Sequence, residues 1–138
     1  MALGFSTRMV GPVFYVSLVG TVDATNVCEV YDTALRACLD GGCTLMLLDA
    51  LGAEGGLTTV DRFDLGKFVA ERNTLAQGGL GAAVRVALVA HPPLADPSRF
   101  GALVANNRGA LVTVTAGVDE ALRWFGVAPP ASPPLDGH

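Results

Sequence analysis

The chain has 138 residues, of which 51% are hydrophobic and 16% charged, and its formal net charge is −4. About 25% of the residues in a typical soluble domain are charged, so this chain is poor in charged residues. Its high apolar content predicts one sizeable core and excludes a disordered chain. The longest run without a charged residue, 9–22, is shorter than the roughly 20 residues that a membrane-spanning helix needs.

Basic residues are few and dispersed along the chain, with Lys67 as the single lysine. Nucleic-acid binding relies on clustered Lys and Arg, so we expect no nucleic-acid partner. The first residues lack the basic leader and long apolar stretch of a signal peptide. Three cysteines without a CxxC spacing indicate reduced thiols rather than a disulfide framework. These features predict a cytoplasmic protein.

The first third of the chain predicts a β-hairpin, a helix and a third strand. Residues 13–19 are rich in β-branched and aromatic residues and predict a strand. Residues 3–10 could pair with it across the Gly11-Pro12 turn as a hairpin. Asp23 predicts the N-cap of a helix that runs to about Leu39. The continuous apolar run 44–48 is typical of a strand covered on both faces, and hence of a parallel sheet.

The rest of the chain alternates between helix and strand. Asp49 is expected to close the third strand, and a Gly-rich loop, 50–57, leads to a helix that Thr58 or Thr59 caps and that runs to about Gln77. The later elements are a strand at 84–90, a helix from Asp96-Pro97 to Gly109, a strand at 111–114 and a helix at 118–125 that Gly126 ends. Residues 127–138, with four prolines, predict a disordered tail after one domain, 1–126.

This order of elements, ββαβαβαβα, predicts an α/β layer fold with a mainly parallel sheet and right-handed crossovers. Ligand and partner sites in such folds lie outside the carboxyl ends of the strands. Asp49, His91 and Thr115 follow the predicted strands at that edge.

Residues that carry chemistry are scarce in this sequence. The GxSxG, GxxxxGK[ST], GxGxxG and HExxH motifs are absent, so no cofactor is expected. Asp49 and His91 could act as a general acid–base pair if adjacent strand ends bring them together. They could equally be a loop-capping aspartate and a rim histidine. Cys28, Cys38 and Cys43 lack the spacing of a metal site and predict small buried apolar residues instead.

The second predicted helix has apolar residues on two sides. Helical spacing places Leu65, Phe68, Val69, Arg72 and Ala76 on the core side, and Val60, Phe63, Lys67 and Ala70 on the opposite side. Val60 and Phe63 could therefore pack under the loop 50–57 or a neighbouring helix, or they could form an apolar contact patch. Thr58 and Thr59 lie beside them, where the helix dipole favours an added phosphate.

Several short segments resemble the STAS domains, the family of anti-sigma-factor antagonists and their SpoIIAA-like relatives. They are Gly20-Thr21-Val22-Asp23 after an early strand, the strand 45–49, the pair Thr58-Thr59 opening a helix with Leu65-Gly66, and the closing helical run 116–125. The resemblance covers roughly residues 10–126. It implies a bacterial protein with a STAS-like α/β fold, in which an N-terminal hairpin precedes βαβαβα with a mainly parallel mixed sheet and about four helices.

The resemblance also implies a function. In the antagonist branch, a partner kinase phosphorylates a Ser or Thr in an Asp-Ser-Ser-Gly-like turn. Thr58 and Thr59 occupy that turn here, with Leu57 in the place of the aspartate and Val60 in the place of the glycine. A second branch, similar through Asn106-Asn107-Arg108-Gly109 and Trp124, consists of stand-alone SpoIIAA-like proteins related in fold to Sec14-type lipid carriers.

Our first hypothesis is a non-enzymatic regulatory module that binds a partner protein, either a kinase-like or sigma-regulator-like protein or a second copy of the chain in a homodimer. Its expected contact residues are Gly55, Gly56, Leu57, Thr58, Thr59, Val60 and Phe63, with Thr58 or Thr59 as phosphoacceptor. The alternative is a carrier or sensor of a small apolar or lipid-like ligand, with a pocket between the second and third helices and the sheet lined by Phe63, Leu65, Phe68, Phe100 and Leu103. An enzyme using Asp49 and His91 is the third hypothesis.

Overall fold

A five-stranded sheet with four helices forms the part of the chain that the computed structural model describes, residues 3–80, 84–92, 94–95, 100–107 and 110–128. Side chains at 75–80 and 100–103 are outside this description. The elements are β1 (Leu3–Val10), β2 (Val13–Val22), α1 (Ala24–Asp40), β3 (Leu45–Gly55), α2 (Thr59–Leu80), β4 (Arg85–Val89), α3 (Phe100–Asn107), β5 (Leu111–Thr115) and α4 (Val118–Phe125). Their order matches the predicted ββαβαβαβα.

The strands lie in the sheet in the order of the sequence, β1-β2-β3-β4-β5. β1 is antiparallel to β2, and every later neighbour is parallel. The hairpin turns at Gly11, whose φ of +57° fits the first central position of a type II′ turn. The prediction of a mainly parallel mixed sheet that begins with a hairpin is therefore confirmed.

The sheet has a different cover on each face. α1, α2 and α3 link successive parallel strands, so right-handed crossovers place all three on one face. The core on that face includes Val16, Tyr31, Met46 and Val69. On the other face, α4 packs Ala121, Leu122 and Phe125 against Val13, Tyr15, Leu47, Ala87 and Val89.

Two strands extend further than their apolar runs predict. β2 continues to Val22 and β3 to Gly55, because 19–22 of β2 pair in register with 52–55 of β3. Most of the predicted loop 50–57 is therefore strand, and the prediction that Asp49 closes β3 is wrong. The pairing shifts register between Ser17 and Val19, where β3 has one more residue than β2.

The N-cap predicted for α1 is confirmed. The Asp23 carboxylate accepts hydrogen bonds from the amides of Thr25 at 2.9 Å and Asn26 at 2.7 Å. The Asn26 side chain accepts in return from the Asp23 amide at 2.9 Å. This reciprocal pair satisfies donors that a helix start otherwise leaves without partners.

The predicted ends of the other helices have three outcomes. α2 runs to Leu80, through the Gly78-Gly79 pair that was expected to break it. Gly126, with a φ of +81°, ends α4 as predicted. The predicted start of α3 at Asp96-Pro97 and its end at Gly109 lie outside the described residues.

Most of the predicted tail, 129–138, also lies outside the described residues. Its first residue, Val127, contacts the domain, because its amide donates to the Leu122 carbonyl at 2.9 Å and its side chain packs beside α4. No helix in the described part of the chain combines the length and the apolar composition needed to cross a membrane.

Candidate functional site

The residues predicted to contact a partner lie where β3 leads into α2. We call Gly55, Gly56, Leu57, Thr58, Thr59, Val60 and Phe63 the α2-start surface. Its first residue, Gly55, has a φ of +119°, and a Cβ there would lie 2.6 Å from the Val22 carbonyl oxygen. Only glycine fits this approach of β3 to β2, so the backbone leading to the helix is held at a defined position.

Of the two threonines that could cap α2, Thr58 is the N-cap. Its hydroxyl accepts from the Asp61 amide at 3.0 Å, and its own amide donates to the Asp61 carboxylate at 3.0 Å. Its carbonyl accepts the first helical hydrogen bond, from the Arg62 amide, at 3.0 Å. The Arg62 side chain also donates to the Leu57 carbonyl at 3.1 Å. Hydrogen bonds thus join Leu57 and Thr58 of the α2-start surface to the first turn of the helix.

Thr59 has a different environment from Thr58. It is the first residue of α2 and is exposed. Among the described residues, its hydroxyl makes no hydrogen bond. Thr59 therefore presents a hydroxyl to solvent at the positive end of the helix dipole.

Val60 and Phe63 lie one helical turn apart, and both are exposed. Val60 leaves 67% of its surface exposed and Phe63 37%, so Val60 does not pack under 50–57. The Lys67 ammonium lies 5.4 Å from the centre of the Phe63 ring, a cation–π contact on the same side of the helix. The exposed apolar side chains thus lie directly after the capped loop.

The buried side of α2 is wider than helical spacing predicts. Val69 is buried as expected, but Ala70, predicted on the opposite side, is also buried, with Asn73. α2 is the middle helix of its layer and is contacted by α1 and by α3. A helix with neighbours on both sides buries more than one stripe, so the expectation for Ala70 is wrong.

Polar contacts join α2 to α1. The Tyr31 hydroxyl donates to the Asn73 side-chain oxygen at 2.6 Å, and the ring of Tyr31 meets Phe68 edge to face. Arg72 lies 3.4 Å from the Asp32 carboxylate and stacks over Phe68. Phe68 and Arg72, predicted on the core side, therefore lie at the contact between the two helices. Burial raises the pKa of Tyr31 above its ordinary value of 10.0, so its hydroxyl keeps its proton.

The pocket residues of the ligand hypothesis are only partly brought together. A cavity of about 130 Å³ lies between the sheet and α1, α2 and α3, and Leu65 lines it. Phe63 and Phe68 do not belong to its lining. The side chains of Phe100 and Leu103 lie outside the described residues.

Asp49 and His91 are not assembled as a catalytic pair. The Asp49 carboxylate accepts from the Tyr15 hydroxyl and, at 3.0 Å, from the Leu51 amide. His91 Nε2 lies 3.2 Å from the Ala116 carbonyl oxygen. No hydrogen bond or ion pair links these two described side chains. The enzyme hypothesis required Asp49 and His91 to lie within hydrogen-bonding distance, and these two described side chains form no hydrogen bond with each other.

A polar cluster that was not predicted from the sequence lies on the face of the sheet that α4 covers. Tyr15 of β2 donates to Asp49 of β3, and the guanidinium of Arg8 lies 4.5 Å from the Tyr15 ring. Burial, with the bond to Asp49, raises the pKa of Tyr15 to about 12. The alternation along β2 could have revealed it, because Tyr15 shares a face with the buried Val13.

No three His, Cys, Asp or Glu side chains come together within the described ranges in a way that could hold a metal ion. The three cysteines are free thiols. Burial raises the pKa of the Cys38 thiol to about 12, which leaves it protonated and unreactive.

Comparison with known proteins identifies the fold. No family model matches the chain, and no curated protein matches it. A crystal structure of an anti-sigma factor antagonist from Mycobacterium paratuberculosis is similar, with a TM-score of 0.56 and 17% identity over 89% of this chain and 93% of that one. The anti-sigma factor antagonist SpoIIAA in its unphosphorylated form is similar with a TM-score of 0.56 and 12% identity, over 91% of this chain and 100% of that one. The chain therefore has the STAS, or SpoIIAA-like, fold.

Proposed function

We propose that the chain is a non-enzymatic, cytoplasmic regulatory module that binds a partner protein through the α2-start surface. The observation that carries this proposal is the exposure of Val60 and Phe63 on a backbone that is already ordered. Gly55 and the Thr58 cap hold this backbone before any partner binds, so little conformational entropy is lost on binding. Exposed apolar side chains on an ordered support are typical of binding surfaces.

Phosphorylation of Thr59 is the proposed switch. Its hydroxyl is exposed, whereas the Thr58 hydroxyl caps the helix and lies beside Asp61. A phosphate at Thr59 adds about −1.5 to −2 charges and stabilises the helix N-terminus. The same charge next to Val60 opposes burial of that side chain against an apolar partner. Phosphorylation should therefore release the partner without unfolding the domain.

The similar solved structures favour a protein partner over a substrate. Both are anti-sigma factor antagonists by name, and one is the unphosphorylated form of its protein. We extend this to a kinase-like or sigma-regulator-like partner, with a second copy of this chain as the other candidate. Leu57 and Val60, in place of the aspartate and glycine of the phosphorylated turn, leave a more apolar surface here.

A matched pair of double variants tests the surface. Val60→Ser with Phe63→Ser removes the two apolar contacts, whereas Val19→Ser with Phe5→Ser changes side chains of the same type and similar exposure, 63% and 39%, on the hairpin. Proteins captured from the native lysate are quantified by mass spectrometry for both. We expect the partner to be lost about tenfold or more with the first pair and kept with the second.

Equal capture by both double variants, with both folded by circular dichroism, would contradict the proposed surface. The switch is tested separately by intact-mass analysis of protein from its own cells, where phosphorylation adds about 80 Da. We expect this mass on Thr59 and its loss in Thr59→Val. Light scattering after size exclusion tests self-association, and a dimer that only Val60→Ser with Phe63→Ser disrupts would identify a second copy as the partner.

A further inference from the structure

The cavity of about 130 Å³ lies where a well-packed α/β core has side chains. Leu48, Leu88 and Val114, on three neighbouring strands, form its floor, and Gly66 and Val69 of α2 form its roof. Leu88 and Val114 are only half-buried, although both strands lie beneath the helix layer. The described residues of the helices therefore cover Leu88 and Val114 only in part.

Small residues on two helices explain why the space is not filled. Gly66 of α2 and Ala105 of α3 line the cavity and have no side chain beyond Cβ. The hydrogen bond from Tyr31 to Asn73 links α1 to α2 across a full tyrosine side chain, which keeps these helices apart. The cavity thus results from small residues on α2 and α3 and from the spacing between α1 and α2.

The lining of the cavity is almost entirely apolar. Among the described residues that line it, Arg62 is the one that carries a charge, and Arg62 donates to the Leu57 carbonyl. Tyr31 also lines it, but its hydroxyl is already donated to Asn73. A water molecule needs two to four polar partners to occupy a buried site, and the described lining does not provide them. The cavity therefore favours an apolar occupant over water.

We propose that this cavity is a binding site for a compact, uncharged, apolar molecule of about the size of benzene. An engineered cavity of roughly 150 Å³ lined by apolar side chains stays dry and binds benzene or xenon, so a ring of six carbon atoms matches the volume here. A two-chain lipid does not. The site therefore fits a small molecule rather than a lipid. It shares Leu57 with the α2-start surface, whereas Val60 and Phe63 do not belong to its described lining.

The test measures binding of fluorobenzene to the full chain by fluorine NMR, with the methyl groups of Leu48, Val69 and Leu88 observed in parallel. We expect saturable binding and selective shifts of these methyl groups. Leu88→Phe extends a side chain into the cavity and should weaken binding about tenfold or more. Leu111→Phe is the matched control, because Leu111 is 44% exposed and does not line the cavity.

Two results would overturn the proposal: shifts that grow without saturation, and equal binding by wild type and a folded Leu88→Phe. If Leu88→Phe does not fold, Val114→Phe fills the same space from β5 and decides the question by the same measurement. Loss of fluorobenzene binding in both filling variants, with binding kept in Leu111→Phe, would support the site. Neither result depends on whether a partner protein binds Val60 and Phe63.

Discussion

Thr58 and Asp61 exchange two hydrogen bonds of 3.0 Å at the start of α2, one from the Asp61 amide to the Thr58 hydroxyl and one from the Thr58 amide to the Asp61 carboxylate. This reciprocal cap orders the chain directly before the exposed Val60. It also gives the two adjacent threonines different roles, since only the Thr59 hydroxyl is left for modification in the proposed switch.

The capping role of Thr58 predicts an asymmetry between two neighbouring alanine variants. Thr58→Ala should lower the free energy of unfolding by about 1 kcal/mol, because the Asp61 amide loses its acceptor. Thr59→Ala should change it by less than about 0.5 kcal/mol, since Thr59 is exposed. Urea unfolding followed by circular dichroism measures both. Equal destabilisation by the two variants would show that Thr58 does not cap the helix in solution.

The close approach of Gly55 to Val22 predicts that Gly55 cannot be replaced without strain. Gly55→Ala should cost about 1–3 kcal/mol, because the new Cβ would lie 2.6 Å from a backbone oxygen at a φ of +119°. Gly56→Ala is the control, since a Cβ at Gly56 meets nothing within 4 Å. It should be neutral or slightly stabilising. A small effect of Gly55→Ala, similar to that of Gly56→Ala, would mean that β3 ends before this residue.

The buried contact between Tyr31 and Asn73 predicts non-additive effects on stability. Tyr31→Phe leaves the Asn73 oxygen without its donor and should cost about 1–3 kcal/mol. Adding Asn73→Leu removes the remaining polar group, so the double variant should be more stable than the sum of the two single variants predicts. A thermodynamic cycle from urea unfolding measures this coupling. Strict additivity would show that the two side chains do not interact.

The two tyrosines of the chain predict a loss of stability at alkaline pH. The pKa of Tyr15 is raised to about 12 and that of Tyr31 is raised further by burial, whereas in the unfolded chain both lie near 10. The folded state therefore holds these protons more tightly than the unfolded state. The resulting stability is present below pH of about 10 and is lost as pH rises towards about 12.

Absorbance of tyrosinate during a pH titration checks this prediction. The folded protein should show no tyrosinate near pH 10, whereas the protein in denaturant should be half ionised there. Tyr15→Phe should flatten the dependence of unfolding free energy on pH between about 10 and 12. Ionisation of a tyrosine at its ordinary pKa in the folded protein would contradict the burial of both side chains.

Local chemistry between neighbouring residues determines most of the elements. Asp23 caps α1 through the amides two and three residues later, and Gly126 ends α4 because it adopts a left-handed conformation. The apolar run that begins β3 predicted a parallel strand covered on both faces, which the sheet confirms. Such features depend on a few consecutive residues, so the sequence by itself determined the order of strands and helices and the α/β class.

Contacts between distant residues decided the rest. β3 continues past Asp49 because 52–55 pair with β2, about thirty residues earlier in the chain, and Ala70 is buried because α2 lies between two other helices. The cavity beside Gly66 depends on how three helices rest on one sheet face. The free energy of strand pairing and of helix packing depends on both contacting segments together. It therefore cannot be inferred from either segment of the sequence alone. The hydrogen bond between Tyr15 and Asp49 and the cavity beneath α2 were therefore visible only in the tertiary structure.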